Sequence, residues 1–245
     1  MFAILKKETK QFFGSYTAYI AIGIFLLLCG LFLFVIPSSQ LLDYNIIDNG
    51  YANLSNFFKL APWVLLLLIP ALTMRLFSDE FKTGTYEILK TKPLTNWQII
   101  MGKYWAALFV VTIAILPTVT YLFAIKNLSV SNSVDVGSLI GSYIGLVLLI
   151  AVMVSVGLCA SSYTNNAVIA FLVSVIICLL LLYLFEAVSK ISFFQSGWDY
   201  YIEALGLNFH YHSISRGVID SRDVLYFITL IFFFLYLTHR RLTTK

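Results

Sequence analysis

Six long apolar stretches limit what this chain can fold into. A membrane-spanning helix needs about 20 mainly apolar residues. Six runs approach or exceed that length: 16–37, 61–77, 104–125, 139–160, 167–188 and 224–238. They do not alternate, whereas the strands of a membrane barrel alternate over about ten residues. The sequence therefore predicts an all-α polytopic membrane protein with six transmembrane helices, in a single transmembrane domain over residues 1–245.

Composition points to lipid as the solvent. Hydrophobic residues make up 60% of the chain and charged residues 11%, against about 45–50% and 25% in soluble domains. The three cysteines, Cys29, Cys159 and Cys178, lie inside apolar runs. Their spacing matches neither a disulfide framework nor a metal site. The sequence contains no long basic run and no zinc-binding pattern, so nothing in it indicates binding to nucleic acid.

Positive charge is concentrated in three parts of the chain. Most of the 16 lysines and arginines lie in the N-terminal segment, between the second and third runs, and in the C-terminal tail. Most of the 12 carboxylates lie in the other loops. Basic loops stay in the cytoplasm. We therefore expect both termini, and the segment 78–103 between the second and third spans, to be cytoplasmic.

The N-terminal residues predict a helix lying on the inner leaflet. Its apolar face would carry Phe2, Leu5, Thr9, Phe12 and Phe13, opposite Lys7, Lys10 and Gln11. The first apolar run is too long for a signal peptide and has no cleavage site after it, which predicts an anchor that is retained.

The outer segment 190–223 is too polar to span a membrane and is rich in aromatic residues. We expect short helices at the outer leaflet before the sixth span, because aromatic side chains favour the water–lipid boundary. The residues that suggest this are Trp198, Tyr200, Tyr201, Phe209 and Tyr211. We interpret His210 and His212 as interfacial polar residues and not as a metal site, since no pattern of further ligands accompanies them. Asp223 is the expected cap of the last span.

The most polar cytoplasmic segment predicts an amphipathic helix over Ser78–Thr91. One face would carry Phe81, Thr85, Ile88 and Leu89, and the other Asp79, Glu80, Lys82, Glu87 and Lys90. Gly84 near the middle indicates a bend or a close approach. A second helix would begin with Thr95 or Asn96 as its cap and lead through Gly102 and Lys103 into the third span. From these residues alone, a helix that docks on a partner and a solvated loop are equally good interpretations.

No catalytic group is apparent in the chain. It lacks the phosphate-binding loop G-x-x-x-x-G-K-[ST], so ATP hydrolysis by that route would need another subunit. A membrane-embedded enzyme would gather His, Asp or Glu at membrane depth, and the apolar runs contain almost none. The sequence predicts a chain that is not an enzyme.

The residues Arg75–Lys103 carry a longer pattern, RLFSDE-x₃-GT-x-E-x-L-x₃-PL-x₄-I-x₂-GK. This pattern resembles the signature of ABC-2 type permeases, the membrane subunits of one class of ABC transporters. The resemblance implies a coupling helix that docks on a cytoplasmic ABC ATPase. It assigns that coupling role to the segment that holds Glu80, Gly84, Thr85 and Glu87, and we expect Phe81, Ile88 and Leu89 to form its docked face. ATP and Mg²⁺ would be bound by the ATPase, and this chain would bind no cofactor or metal.

A narrower resemblance rests on GVIDSRDVLYF, Gly217–Phe227, and on the chain length. These are similar to the GldF-type permeases of gliding motility in Bacteroidota. That likeness implies a GldA-like ATPase and a second permease subunit, either a copy or a GldG-like subunit with a periplasmic domain. It also implies the bacterial inner membrane, in contact with membrane lipid.

Several alternatives stay open at this stage. The chain could export a substrate or act as a non-transporting mechanotransmitter that drives a periplasmic partner, and its substrate is not readable. A lone secondary transporter would show an internal repeat or intramembrane charges, which the sequence lacks. Gly141-x-x-x-Gly145 indicates close helix packing, within the chain or at a subunit seam. Glu186 is interpreted as a residue that snorkels at the end of a span.

Overall fold

The computed structural model describes residues 1–37, 44–46, 54–91, 93–123, 136–191, 197, 199–217 and 220–244. These residues form helices and no strand, so the predicted all-α fold class is confirmed. The helices are α1 (Phe2–Gly14), α2 (Tyr16–Phe34), α3 (Ser55–Thr73), α4 (Arg75–Thr83), α5 (Thr85–Lys90), α6 (Asn96–Ile115), α7 (Val136–Tyr163), α8 (Ala167–Leu179), α9 (Phe185–Ser189), α10 (Asp199–Glu203), α11 (Leu207–Ser215) and α12 (Ser221–Thr243).

Among the described residues, five helices are long and apolar enough to cross a membrane, and a bent pair adds a sixth if it counts as one span. The five are Ser55–Thr83, Asn96–Phe123, Gly137–Tyr163, Ala167–Ser189 and Ser221–Thr243. The bent pair is α1 with α2, at an angle of 66°. This makes the chain a multi-pass membrane protein.

The helices extend beyond most of the predicted apolar runs. The run at 61–77 lies inside Ser55–Thr83, which includes two prolines, Pro62 and Pro70. The third spanning helix begins at Asn96 and therefore includes the residues that precede the apolar run at 104–125. Residues 124–125 at the end of the predicted third span lie outside the described residues.

Helix α7 lies at the centre of the bundle and contacts α3, α4, α6, α8, α11 and α12. Small residues permit this close packing. A Cβ on Gly157 would lie 2.0 Å from the Thr73 hydroxyl, so only glycine fits against α3 at that point. The share of the spanning window that is buried is 83% in α7 but 22% in Ala167–Ser189. The apolar side chains on the outer helices are therefore left for lipid or a partner subunit.

The chain of α8 continues into a single π-helical turn, Leu180–Leu184, before α9. Beyond α9, the short helices α10 and α11 precede the last span, as the sequence predicts. The predicted boundary residue Trp198 lies outside the described residues, and Tyr200 and Tyr201 are exposed.

Two details of the helices differ from the sequence prediction, one at the start of α12 and one on the buried face of α1. The cap of α12 is Asp220, whose carboxylate accepts from the Arg222 backbone N–H. Asp223, the expected cap, lies in the first turn and contacts His210 instead. In α1 the helix is present, but Ile4 and Glu8 are its buried residues, because this face packs against α6.

Candidate functional site

The polar segment forms two helices rather than the single helix expected over Ser78–Thr91. Helix α4 continues the second span to Thr83, and Gly84 then turns the chain with φ of +71°. Only glycine adopts this left-handed conformation without strain. Nothing lies within 4 Å of a Cβ built on Gly84, so the residue provides a bend and not a close approach. Helix α5 begins again at Thr85.

Three aromatic rings hold α5 against the end of α4. The ring of Phe81 stacks on Phe77 with centroids 5.9 Å apart and meets the edge of Tyr86 at 5.0 Å. Tyr86 is 4% exposed. Burial raises the pKa of its hydroxyl, and the negative charge of Glu80 raises it further. Helix α5 is thus fixed to the span that precedes it and is not a free loop.

A buried ion cluster lies beneath this segment and consists of Lys7, Glu8, Glu80 and Lys103. The Lys103 ammonium donates to Glu8 Oε1 at 3.0 Å and to Glu80 Oε1 at 2.8 Å. Its third proton reaches the backbone oxygen of Leu76 at 2.7 Å. An ammonium has three donors, so every hydrogen-bond donor of this lysine has a partner.

The ion cluster ties together three elements that are far apart in sequence. Glu8 comes from α1, Glu80 from α4 and Lys103 from α6. The side chain of Lys103 is 1% exposed and that of Glu8 is 5% exposed, whereas that of Lys7 is 53% exposed. Buried charges are tolerated only when they are paired and hydrogen-bonded. The cluster balances two cations with two carboxylates, and Glu80 Oε2 is its one oxygen that is buried without a hydrogen-bond partner among the described residues.

Local sequence explains how these side chains come together. The Thr95 hydroxyl accepts from the Gln98 backbone N–H, and the Gln98 side chain accepts from the Thr95 N–H, which confirms the predicted start of the helix. From there Lys103 stands roughly 12 Å along α6, at a rise of about 1.5 Å per residue. Gly102 beside it lets α1 approach, since a Cβ there would lie 2.9 Å from Ile4.

The predicted coupling residues do not all share one surface. Glu80 points inward to Lys103, and Phe81 is half-buried among aromatic rings. Gly84 and Thr85 lie at the bend, where Thr85 contacts the hydroxyl of Thr83 at 3.0 Å. The three remaining predicted residues lie on α5: Glu87 and Ile88 are exposed, and Leu89 is half-buried.

Sequence reasoning missed Glu8, Lys103 and Tyr86 as parts of this site. Lys103 is indistinguishable in the sequence from a lysine that keeps a loop in the cytoplasm. The available signal was the pairing of Gly102 with Lys103, which marks a close helix contact beside a charge. Glu8 shares its face with Ile4, a pattern that indicates one side of α1 packs against protein.

A cavity of about 860 Å³ opens beside the ion cluster. One end is polar and includes all four members of the ion cluster. The remaining wall is mainly apolar and comes from α2, α3 and Phe171 of α8. A displacement of α4 relative to α1 would therefore change both the ion cluster and the shape of the cavity.

A second polar group lies between α11 and the start of α12. The His210 ring contacts Asp223 Oδ1 through Nδ1 at 2.7 Å, and its Nε2 donates to the Ala204 oxygen at 2.8 Å. Tyr226 stacks on the ring at 4.0 Å. No group of three or more metal-ligating side chains occurs among the described residues.

Glu186 and the Gly141–Gly145 pair have partners inside the chain. Glu186 forms an ion pair with Lys190 at 2.6 Å and accepts a hydrogen bond from Asn208 at 2.8 Å. A Cβ on Gly141 would lie 2.7 Å from the backbone oxygen of Ile214 in α11. The close contact that the glycine pair predicts is thus made with α11.

Comparison with known protein families gives a match. The family model described as ABC-2 family transporter protein matches residues 3–200, which is most of the chain. A comparison with curated proteins finds no match.

Proposed function

Since the chain belongs to the ABC-2 transporter family, in which a permease subunit pairs with an ABC ATPase, we propose that α4 and α5 pass the motion of that ATPase into the membrane. ATP and Mg²⁺ would be bound by the ATPase. This chain would lie in a bacterial inner membrane, with both termini and α5 in the cytoplasm.

One observation carries this proposal. Helix α5 projects Glu87 and Ile88 outward, with Ile88 64% exposed, while the aromatic rings and Glu80 attach the same segment to the spans. Ile88 is apolar and exposed outside the predicted spans, so it is available to contact a partner. Because Glu80 contacts Lys103, a displacement of α5 would be transmitted directly to α1, α6 and the cavity.

The seven predicted residues then divide into three groups with different roles. We propose that Glu87, Ile88 and Leu89 contact the ATPase. Glu80 and Phe81 would transmit the displacement, because they join α4 to the ion cluster and to α5. Gly84 and Thr85 would form the corner between the two helices, at the only positive φ of this segment.

The test is co-purification of the tagged chain with its ATPase from native membranes, after mild solubilisation. We expect Ile88→Asp to lose the ATPase because a carboxylate replaces the exposed apolar contact. Ile88→Leu is the matched control and should retain it. The substitution is at an exposed position, so folding should be unaffected, and a normal amount of ATPase with Ile88→Asp would contradict the proposal.

A narrower proposal concerns the gliding-motility complex. It rests on the resemblance of Gly217–Phe227 to GldF-type permeases, and it predicts a GldA-like ATPase and a GldG-like subunit with a periplasmic domain in the same eluate. Recovery of a second copy of this chain with no such subunit would favour a homodimeric permease instead.

The mechanotransmitter alternative is supported by the apolar centre of the bundle. The α7 window is 83% buried, and the hydroxyls of its buried Ser155, Ser161 and Ser162 each donate to a backbone oxygen of the same helix. Reconstituted complexes would distinguish the two: ATP-dependent movement of a labelled partner domain without release of an exported substrate would favour mechanical work.

A further inference from the structure

A basic pocket of about 730 Å³ lies at the α5 end of the bundle, apart from the aromatic rings that hold α5. Its walls come from α4, from the short connection between α7 and α8, and from the end of α12. Four candidate spans therefore meet here at their ends: Thr83, Tyr163, Ala167 and Thr243 are the terminal residues of those spans. The ends of spanning helices lie at the depth of lipid headgroups.

The charges around this basic pocket are unbalanced. Arg75, Lys82 and Arg241 contribute three cations, and Asp79 is the one acidic residue that lines it. Arg75, Asp79 and Lys82 share one face of α4, since residues four and three apart are neighbours on a helix. No salt bridge involving these four side chains occurs in the part of the chain that the structure describes.

Arg241 is positioned to bind an anion. Its guanidinium lies over the ring of Tyr163 at 5.5 Å, which fixes the group without neutralising it. The Nε atom is buried and has no hydrogen-bond partner among the described residues. The described residues thus place no acceptor against Nε, and the side chain of Arg241 lines the pocket, where an anion can reach it.

The start of α8 adds to the positive potential. Asn166 caps this helix by accepting from the Val168 N–H at 2.9 Å, and the remaining N–H groups of the first turn are at the positive end of the helix dipole. Arginine and a helix N-terminus are both suited to a phosphate group. The chemistry of the pocket is thus that of a site for a phosphate-bearing anion.

We propose that this basic pocket binds the headgroup of an anionic phospholipid from the leaflet on the α5 side of the bundle. The commitment to a lipid rests on the position of the pocket at the ends of four spans, where phospholipid headgroups are concentrated. Basic pockets between spanning helices on the cytoplasmic side bind such headgroups. The proposal concerns this chain alone and does not depend on the ATPase.

The test titrates short-chain phosphatidylglycerol or phosphatidylcholine into the purified full-length chain in neutral detergent. Bound lipid is counted by native mass spectrometry, and the thermal midpoint is followed. We expect phosphatidylglycerol to bind and raise the midpoint, and phosphatidylcholine to do neither. Each of Arg75→Gln and Arg241→Gln should weaken binding about five-fold, the effect of one charge near a membrane surface.

Arg240→Gln is the matched control. It removes the same charge from the neighbouring, exposed residue, which does not line the pocket, and it should leave binding unchanged. If Arg241→Gln does not fold, as judged from its midpoint without lipid, Arg75→Gln and Lys82→Gln test the same pocket from α4. Arg241→Lys keeps the charge and should retain part of the binding.

Four outcomes would overturn the proposal. Equal binding of the two lipids, or equal losses in Arg240→Gln and Arg241→Gln, would show that the pocket has no selectivity. An equal rise of the midpoint with inorganic phosphate alone would assign the pocket to a free anion. If Arg241→Gln binds phosphatidylglycerol normally but loses the ATPase in the co-purification, the pocket belongs to the protein partner.

Discussion

The two ends of the bundle are held together by different contacts. At one end the ion cluster joins α1, α4 and α6 through charged side chains, with Lys103 at the centre. At the other end α11 packs directly against the backbone of α7, so closely that Gly141 has no room for a Cβ. Here the Ser138 and Ser142 hydroxyls each donate to the Ser215 oxygen at 3.1 Å.

This difference indicates which end can move. A contact between backbones has one close-packed arrangement, because interiors tolerate little change in volume. Long charged side chains can rotate, exchange partners or take up water while their helices shift. We therefore expect the ion cluster to be the adjustable junction and the α11 contact to be the fixed one, in agreement with the placement of α5 beside the ion cluster.

The largest expected effect follows from removing the central cation. Lys103→Met leaves Glu8 and Glu80 with the half-exposed Lys7 as their remaining counter-ion, and breaking a buried ion pair in this way costs about 3–5 kcal/mol. The free energy of unfolding, measured with denaturant in detergent, should fall by that amount. The same change combined with Glu8→Gln and Glu80→Gln should recover much of the loss, because no unpaired charge remains. A triple variant as unstable as Lys103→Met would show that packing, and not charge, dominates this end.

Adding one methyl group should disturb the α11 contact by a smaller amount. In Gly141→Ala the new Cβ would lie 2.7 Å from the Ile214 oxygen and 2.9 Å from Gly217 Cα, both backbone atoms. Overpacking of this kind costs about 1–3 kcal/mol. The control is Gly23→Ala, where nothing lies within 4 Å. Equal stability of Gly141→Ala and the wild type would mean that α11 is free to move, which would contradict the comparison.

The smallest effect is expected at the exposed edge of the ion cluster. Lys7 reaches Glu80 at 3.3 Å, and its side chain is 53% exposed. Exposed ion pairs are worth about 0.2–1 kcal/mol and weaken with salt. Lys7→Gln should lower the unfolding free energy only within that range, and the difference should shrink as the salt concentration rises. A loss as large as that of Lys103→Met would remove the distinction between the buried and the exposed cation.

The spanning helices could be predicted because length and hydropathy determine them. Run 167–188 is nearly the whole of Ala167–Ser189, since lipid leaves the backbone no alternative to a helix. Thr95 and Gly84 were also readable, because a cap and a left-handed turn are local properties. The cap also places the start of the third spanning helix at Asn96, ahead of the apolar run at 104–125, which hydropathy alone does not indicate.

The partners of particular residues could not be read in the same way. Glu8 and Lys103 are far apart in sequence, and Gly141 meets α11 although a glycine pair predicts only that something packs closely there. Which surface fills a contact depends on the whole bundle, and a single sequence does not contain that information in any local pattern. The coupling residues stay a prediction, which the ATPase capture described above tests.

The separation of Glu8 and Lys103 by 95 positions also affects how the chain is made. At a synthesis rate of about 5–20 residues per second, Glu8 leaves the ribosome on the order of 5–20 s before its partner does. During that interval α1 has no cation from α6 to bury against, so the Glu8 carboxylate stays in water and α1 lacks its contact with α6. The contact between Glu8 and Lys103 therefore forms only after the third span has been made, and a quality-control protease that recognises α1 without this contact would distinguish unfinished chains from completed ones.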